Sequence, residues 1–477
     1  FNQWPTTLRY PDSGSSHATS QDDQVSDAMA THFSSWQQNV NILFSDPNYS
    51  DFSTFSNHVW TPSGGDGTQP DGVGTYASLE DVHNAIHGEV GGNEGHMSDT
   101  EYAAFDPVFW LHHVNVDRLF ALWQVLNPTS YTISHPTQEG TFVTEAGTVE
   151  TGITPLAPFK NASGHNYWTA NTVRKTTDFN YAYPETQQWR FRSADEYSEN
   201  VRGTVQQLYG GVSNFFMAQR NNFAPTGTGA VQNGPRADTV TNGNASDKAS
   251  DTNGNGSAHH SEGFFHKLIH KAHDKIFSDD DQEQTRGLDL ESEIGKPSGP
   301  VSTTPQPIHY TEYIVNLRAM KHSLQQTYRV HVFLGDFDPS TRTWHTAQNL
   351  VGTFVVLGKN PGTTGCGKCK DDSEKQVAVT GTIPLTAALI QAVKDGQLGG
   401  LEKEQVIPWL TKELHWRVTL ADGTDKPREE VPGLKISVVS TDVTIPPHGY
   451  PQYSGVYEIH PEITEGRPAG HGAGDDV

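Results

Sequence analysis

Cysteine is nearly absent, with two residues in 477, Cys366 and Cys369. A crosslinked framework of the kind that holds small secreted domains together is therefore excluded. Basic residues are scarce too: 32 Lys and Arg stand against 56 Asp and Glu, a formal net charge of −24. That sign repels phosphate backbones and anionic headgroups, which argues against a nucleic-acid or anionic-membrane partner. No apolar run approaches the ~18 residues of a membrane-crossing helix. What is left is an acidic chain long enough for two or three domains.

The most informative stretch runs from Leu79 to His113, LEDVHNAIHGEVGGNEGHMSDTEYAAFDPVFWLHH. His83 and His87 form an HxxxH pair. At about 3.6 residues per turn they lie one above the other on one helix face. His113 follows inside DPVFWLHHVNVD. There Asp106 suits an N-cap and Pro107 the first helical position. The apolar run Val108, Phe109, Leu111, Val114, Leu119 and Leu122 then predicts a buried helix from about Pro107 to about Leu126. A third imidazole from that helix completes a set able to hold one late first-row metal ion. Imidazole suits copper, zinc, iron and nickel alike, so spacing does not name the metal. His112 is rotated about 100° from His113 and is expected not to share its ligand direction. Asp117, one turn beyond His113, is placed to orient an imidazole or to anchor Arg118. Ordinary core histidines would explain a lone HxxxH pair. Three histidines around a Gly-rich turn and a capped helix favour a metal site.

The fold class reads as α+β and multidomain. Residues 1–225 form a helical domain, opened by a predicted helix from Ser20 to Phe44 with Met29, Phe33, Trp36, Val40 and Leu43 on one side. After Asn127 come short Thr-rich pieces, TFVTEAG and YWTANTVRK, and Ser198 to Leu208 predicts a last short helix. Residues 226–305 are poor in hydrophobics and read as an exposed linker open to proteases. Within it FFHKLIHKAHDKIF sets His266, His270 and His273 on one helical face; a solvated polar face explains them better than a metal site. Residues 306–446 carry YIVNLRAM, TYRVHVFLGDF, LVGTFVVLG, KQVAVTGTIPL, LHWRVTL and KISVVSTDV, the strands of a β-sandwich or barrel. Helices are expected near Leu385 to Ala392 and Lys403 to Leu410, and 447–477 reads as a tail. Cys366 and Cys369 lie in GCGKC, a loop that binds Cu(I) through two thiolates or closes as a disulfide.

The histidine block resembles the second copper-binding region of type-3 copper proteins, most closely that of fungal tyrosinases. The family pattern DPxF followed by HxxxD matches from Asp106 to Asp117, which by resemblance makes His113 the third ligand. The likeness continues through VNVDRLFALWQ and upstream to WPTTLRYP, Trp4 to Pro11. It resumes at YRVHVFLGDF and LHWRV, which resemble the C-terminal domain of fungal tyrosinase precursors. The resemblance implies a helical type-3 copper domain with an incomplete four-helix-bundle core. It implies copper as cofactor, two ions per complete centre, one held here by His83, His87 and His113. Glu80 and Asn84 match the pair that holds a water able to take the proton of a monophenol; a helix cap and a solvent-facing amide are the plain alternatives. Phe109 matches the bulky residue that covers this copper.

The same likeness implies that the C-terminal domain covers the site until a protease cuts the linker. Phe354 is then the first candidate for a side chain entering the pocket, with Leu357 and Phe333 behind it, and Cys366 and Cys369 a candidate copper-handling pair. A type-3 centre needs a second histidine triad, yet before His83 the chain offers only His17, His32 and His58, in unrelated contexts. The family's first copper block lies upstream of WPTTLRYP, so it is expected to belong to an N-terminal portion that is either a separate polypeptide, cleaved and retained in the same particle, or simply absent. The implied activity is that of a latent tyrosinase: O2-dependent ortho-hydroxylation of monophenols and oxidation of o-diphenols to o-quinones. A catechol oxidase or o-aminophenol oxidase with the same ligands, hemocyanin-like O2 binding, and a one-copper storage module are the alternatives. Sequons at Asn48, Asn161, Asn244 and Asn255 hint at secretion and leave the compartment open.

Overall fold

The computed structural model of the chain describes residues 4–59, 76–131, 135–137, 143–222 and 306–472. The linker expected over 226–305, with its three-histidine segment, lies outside the described residues.

The first half is helical. Helix α1 (Asp22–Ser45) turns Val25, Ala28, Trp36, Val40, Ile42 and Leu43 inward, and α2 (Phe52–Ser56) is a single turn capped by Asp51. Helix α3 (Leu79–Gly91) starts where the Ser78 hydroxyl accepts from the Asp81 N–H, with Glu80 and Asp81 in its first turn. Both features satisfy the free donors and positive dipole of a helix start. It stops at Gly92, φ 63°, where a Cβ would sit 2.5 Å from the Tyr10 ring.

Helix α4 (Pro107–Leu126) has the bounds its caps predict. It is not buried along its length, however. Leu119, Ala121, Leu122 and Trp123 face the core, whereas Trp110 and Leu111 are 61% exposed and Val114 56%. Its first half has no described element packed over that side. Two short antiparallel pairs follow, β1 (His135–Pro136) with β2 (Val149–Glu150) and β3 (Pro155–Lys160) with β4 (Tyr167–Thr169). Helix α5 (Ala194–Tyr209) begins earlier than expected because Ser193 caps it, and α6 (Gly211–Asn222) follows directly.

The C-terminal part is sheet-rich. Strands β5 (Ile308–Met320), β6 (Tyr328–Leu334), β7 (Leu350–Val356), β8 (Ala378–Pro384), β9 (Leu414–Leu420), β10 (Asp425–Lys426), β11 (Lys435–Ile445) and β12 (Gln452–Ile459) form two four-stranded antiparallel sheets. Their orders are β10-β9-β6-β7 and β12-β11-β5-β8. No barrel closes. Leu317, Val330, Phe354, Val379, Trp416 and Val438, drawn from both sheets, meet in one apolar cluster. Strand β12 corrects the expected tail, for it pairs along β11 and buries Tyr453 and Tyr457. Gly455 at φ 71° and a register shift break its alternation, which is why it did not read as a strand.

A second cluster joins the two parts. It combines Val40 and Leu43 of α1, Val82 of α3 and Trp123 of α4 with Ile314 of β5, Val443 of β11 and Tyr457 of β12. Buried polar contacts cross the same boundary. Arg329 of β6 donates to the carbonyls of Gly88 and Gly92 and to Ser98 Oγ, at 3.1, 2.6 and 3.0 Å, so a guanidinium neutralises the end of α3. The Glu312 carboxyl of β5 accepts from Gln38 Nε2 of α1 at 2.8 Å.

Two predictions test this seam. A Cβ on Gly88 would approach Val355 of β7 to 2.6 Å. Gly88→Ala is therefore expected to lower stability by about 1–3 kcal/mol through overpacking, against the roughly 1 kcal/mol that alanine gains in an open helix. A raised urea midpoint would refute the close contact. Burial pushes Glu312 up to about 8 from 4.5, opposed by hydrogen bonds from Thr386, Gln38 and Tyr453. The folded state thus holds a proton that the unfolded state releases above pH 4.5, so stability falls as pH rises toward 8. Glu312→Gln should flatten the decline in Tm between pH 5 and pH 8; an unchanged slope would place the titration elsewhere.

Candidate metal centre

Helices α3 and α4 bring four imidazoles together. His83 and His87 are one turn apart on α3, ring centroids 4.6 Å. His113 of α4 reaches them with centroids 4.9 Å from His83 and 5.4 Å from His87. His112 arrives as well, at 5.0 and 5.2 Å, and its ligand atom lies within 4.8 Å of those of His83 and His87. The expectation that His112 points away is therefore corrected: the α3 rings lie across the edge of α4 where both neighbours can be reached.

Each ring of the triad His83, His87 and His113 has its Nδ1 tied to an oxygen. The partners are Asn84 Oδ1 at 2.9 Å, the Met97 carbonyl at 2.8 Å and the Phe109 carbonyl at 2.7 Å. An amide or carbonyl oxygen only accepts, so each Nδ1 carries the proton and each Nε2 keeps a lone pair. His83 Nε2 and His113 Nε2 then face each other at 3.0 Å. Two lone pairs at that distance repel unless a cation lies between them. Nitrogen ligands about 2.0–2.1 Å from a metal sit roughly 3 Å apart. The donor set fits a metal ion. His112 Nε2 is buried with no hydrogen-bond partner among the described residues.

Burial favours the neutral form of His83, His87 and His112, the form that ligation requires. It lowers His83 from 6.5 to about 3, with His87 adding to the effect, and lowers His87 in the same sense. His112 falls to about 2, again through burial first and then His83 and His87. The Phe109 ring lies 4.0 Å from that of His113 and 5.7 Å from that of His87, an apolar wall on one side of the cluster.

The segment Leu8 to Tyr10 straps the two helices. Arg9 donates from Nε and Nη2 to both oxygens of Asp106, the α4 cap, at 2.7 and 2.6 Å. Tyr10 N donates to the Gly91 carbonyl at 2.8 Å and its hydroxyl to Glu89 at 3.0 Å. Nothing in the local pattern pointed to Arg9. Its signal was membership of WPTTLRYP, quoted for likeness alone. The Glu80 carboxylate is half-exposed beside His58, and Asn84 is buried against His83.

Other expected roles are not met. Asp117 accepts from the hydroxyls of Tyr181 and Tyr183 rather than from an imidazole, and Arg118 pairs with Glu185 instead of Asp117. Phe354 is 1% exposed and packs in the β core with Val330 and Trp416, and Phe333 stacks on Phe337. Neither ring contacts the four imidazoles among the described residues, because both inward sides of β6 and β7 are filled. Cys366 and Cys369 are joined as a disulfide at the start of the helix Gly367–Glu374. In that state they offer no thiolate to copper.

Residues 1–126 match the family described as the common central domain of tyrosinase, and residues 312–438 the tyrosinase C-terminal domain. Over its whole length the chain is 40% identical to a tyrosinase of Neurospora crassa, spanning 70% of that protein. Over 82% of its length it is 35% identical to a tyrosinase of Podospora anserina, spanning 62% of it. Among solved structures, recombinant mushroom tyrosinase matches 95% of this chain with 67% of its own, at TM-score 0.59 and 19% identity.

The geometry separates His113 from its neighbour by experiment. With Nδ1 tied and Nε2 3.0 Å from His83, His113 is the expected third ligand. His113→Ala should abolish one-to-one Cu(II) or Zn(II) binding in calorimetric titration of the chain, and His112→Ala should retain it. The reverse result would exchange their roles.

Proposed function

The chain belongs to the tyrosinase family of type-3 copper oxidases, and from that premise we propose that it provides the second-copper half and the covering region of a latent tyrosinase. The observation that carries the reading is the convergence of three Nδ1-anchored imidazoles. His83, His87 and His113 would hold one copper, and Phe109 would wall the substrate ring on one side. When bound with its partner ion, copper supplies the O2 chemistry that hydroxylates a monophenol and takes a diphenol to its o-quinone.

The residues around it handle the substrate and its proton. Glu80, half-exposed at the start of α3, would accept the phenolic proton through a water that Asn84 helps to hold, since a phenol must lose its proton before it can bind a metal. Phe109 offers a flat apolar surface against which an aromatic ring can stack. With their Nε2 lone pairs given to the metal, the three imidazoles would leave Glu80 as the base of the site.

Residues 1–225 would then be the catalytic part, with an incomplete four-helix-bundle core, and 226–305 the cleavable linker. The β-rich part, with its two sheets arranged as a sandwich, would be the cover, and β12 extends it beyond residue 446. A separate polypeptide with the first copper site would pack over the exposed Trp110, Leu111 and Val114 of α4. A patch of that kind beside a histidine cluster is what an absent helical partner would bury.

The test is a phenol and catechol assay on the copper-loaded complete protein, before and after limited proteolysis. Quinone formation from both substrates is expected to rise on cleavage. Glu80→Gln should lower monophenol turnover by about 10²-fold or more and diphenol turnover far less. Turnover of the diphenol alone would make the protein a catechol oxidase; reversible O2 binding without turnover would make it a carrier.

A further inference from the structure

We propose that His58 is a positioning residue of this centre, holding Asn84 and Glu80 in fixed relation to the ligand His83. The proposal rests on the reading of Glu80 and Asn84 given above. His58 is 3% exposed and follows α2. Its carbonyl accepts from the backbone N–H and the hydroxyl of Thr380 in β8, at 3.0 and 3.1 Å, so its backbone is pinned by the sheet. Its ring lies between two side chains. Nδ1 is 3.4 Å from Asn84 Nδ2, and Nε2 is 3.2 Å from Glu80 Oε1. Its backbone N–H also faces Glu80 Oε2 at 3.4 Å.

The direction of each contact follows from the one before it. His83 donates from Nδ1 to Asn84 Oδ1, which leaves His83 Nε2 free for a metal. The other end of that amide is an NH2 group, a donor only. His58 Nδ1 must therefore be the acceptor, and the ring proton of His58 sits on Nε2, facing Glu80. Burial keeps the ring neutral by lowering its pKa to about 4, although the charge of Glu80 opposes this.

The Nε2 contact has the distance of an ion pair but not the alignment of a hydrogen bond, and Nε2 has no other partner among the described residues. A modest rotation of the half-exposed Glu80 carboxylate restores the alignment. Glu80 is thereby held from behind by His58 and stays open on its solvent side to a substrate water. The amide is held too. Turned over, Asn84 would set its NH2 against His83 Nδ1–H, and the ligand ring would lose the tautomer that frees Nε2. A side chain set aside as a histidine in an unrelated context thus connects a metal ligand to the proposed base.

The first test needs no metal. Long-range 15N–1H spectra of the chain labelled at histidine nitrogen, with His58→Gln assigning the His58 signals, should show His58 as the Nε2–H tautomer and His83 as Nδ1–H at pH 7. A His58 protonated at Nδ1 would overturn the proposal. The second test uses the copper-loaded complete protein. His58→Phe keeps a planar ring and removes both nitrogens; it should lower monophenol kcat by about 10- to 100-fold, the range for partners of metal ligands, and by more than it lowers diphenol kcat. His58→Gln can accept from Asn84 and donate to Glu80, and should recover most of the loss. Equal losses in both variants, or none in either, would overturn the proposal. Glu80→Gln and Asn84→Ala run in parallel separate the two failures. If these leave monophenol turnover intact, the reading of the site fails; if they lower it and His58→Phe does not, only the role of His58 fails. Should His58→Phe not fold, the tautomer measurement decides.

Discussion

An imidazole offers a metal one lone pair, and only from the nitrogen that does not carry its proton. Three of them can serve one ion only if each is held in the same tautomer and turned to the same point. That requirement organises the structure. Two of the three Nδ1 anchors are backbone carbonyls, of Met97 and of Phe109. The Phe109 anchor comes free with the helix, because the carbonyl four residues before His113 lies under its ring. The Met97 anchor does not. It depends on the turn after α3 returning past His87, which the strap from Leu8 to Tyr10 holds in place through Gly91 and His96. The third anchor, Asn84, is a side chain and can rotate. That makes it the weakest of the three and gives His58 its significance.

The local features of the centre were legible because they repeat at the period of a helix. HxxxH spacing, the Asp106 and Pro107 start of α4, and the alternating strands LHWRVTL and KISVVSTDV all depend on residues a few positions apart. What could not be read depends on residues far apart. Arg9 meets Asp106 across 97 positions, and Thr380 meets His58 across 322. Asp117 was assigned to His113 because they are one turn apart, yet two tyrosines from a loop over 60 residues away supplied its partners. Phe354 looked free for the pocket because alternation marks the inward side of a strand without saying which core that side meets. Apolar periodicity likewise placed Leu111 and Val114 inside, when only a partner for that face could bury them.

The seam between the helical and sheet-rich parts is apolar and polar at once. Tyr457 donates to the buried Asp46, Asp81 accepts from the Thr382 N–H at 3.1 Å, and His32 Nε2 lies 2.8 Å from Thr353 Oγ1. Each of these groups has its partner on the other side, so parting the two halves would leave buried donors and acceptors unmatched as well as exposing the cluster around Val40, Ile314 and Val443. Burial raises Asp46 and takes Asp81 up to about 8, from 3.8 in each case. A carboxyl that keeps its proton up to about pH 8, as Asp81 does, can bridge an apolar seam without the cost of an unpaired charge.

That seam bears on how a cover of this kind could be lifted. Cutting the chain between α6 and β5 removes a covalent tie but none of these contacts, and the entropy gained by freeing a long connection is small beside a shared core. Association through such an interface would persist after cleavage unless it were weakened as well. Raised pH is one means, since it ionises Glu312 and Asp81 where no cation is paired with either among the described residues. Loss of the cover also withdraws Thr380 from His58. If the sheet-rich part is the cover proposed above, lifting it and relaxing the link that orients Asn84 and Glu80 would be one event.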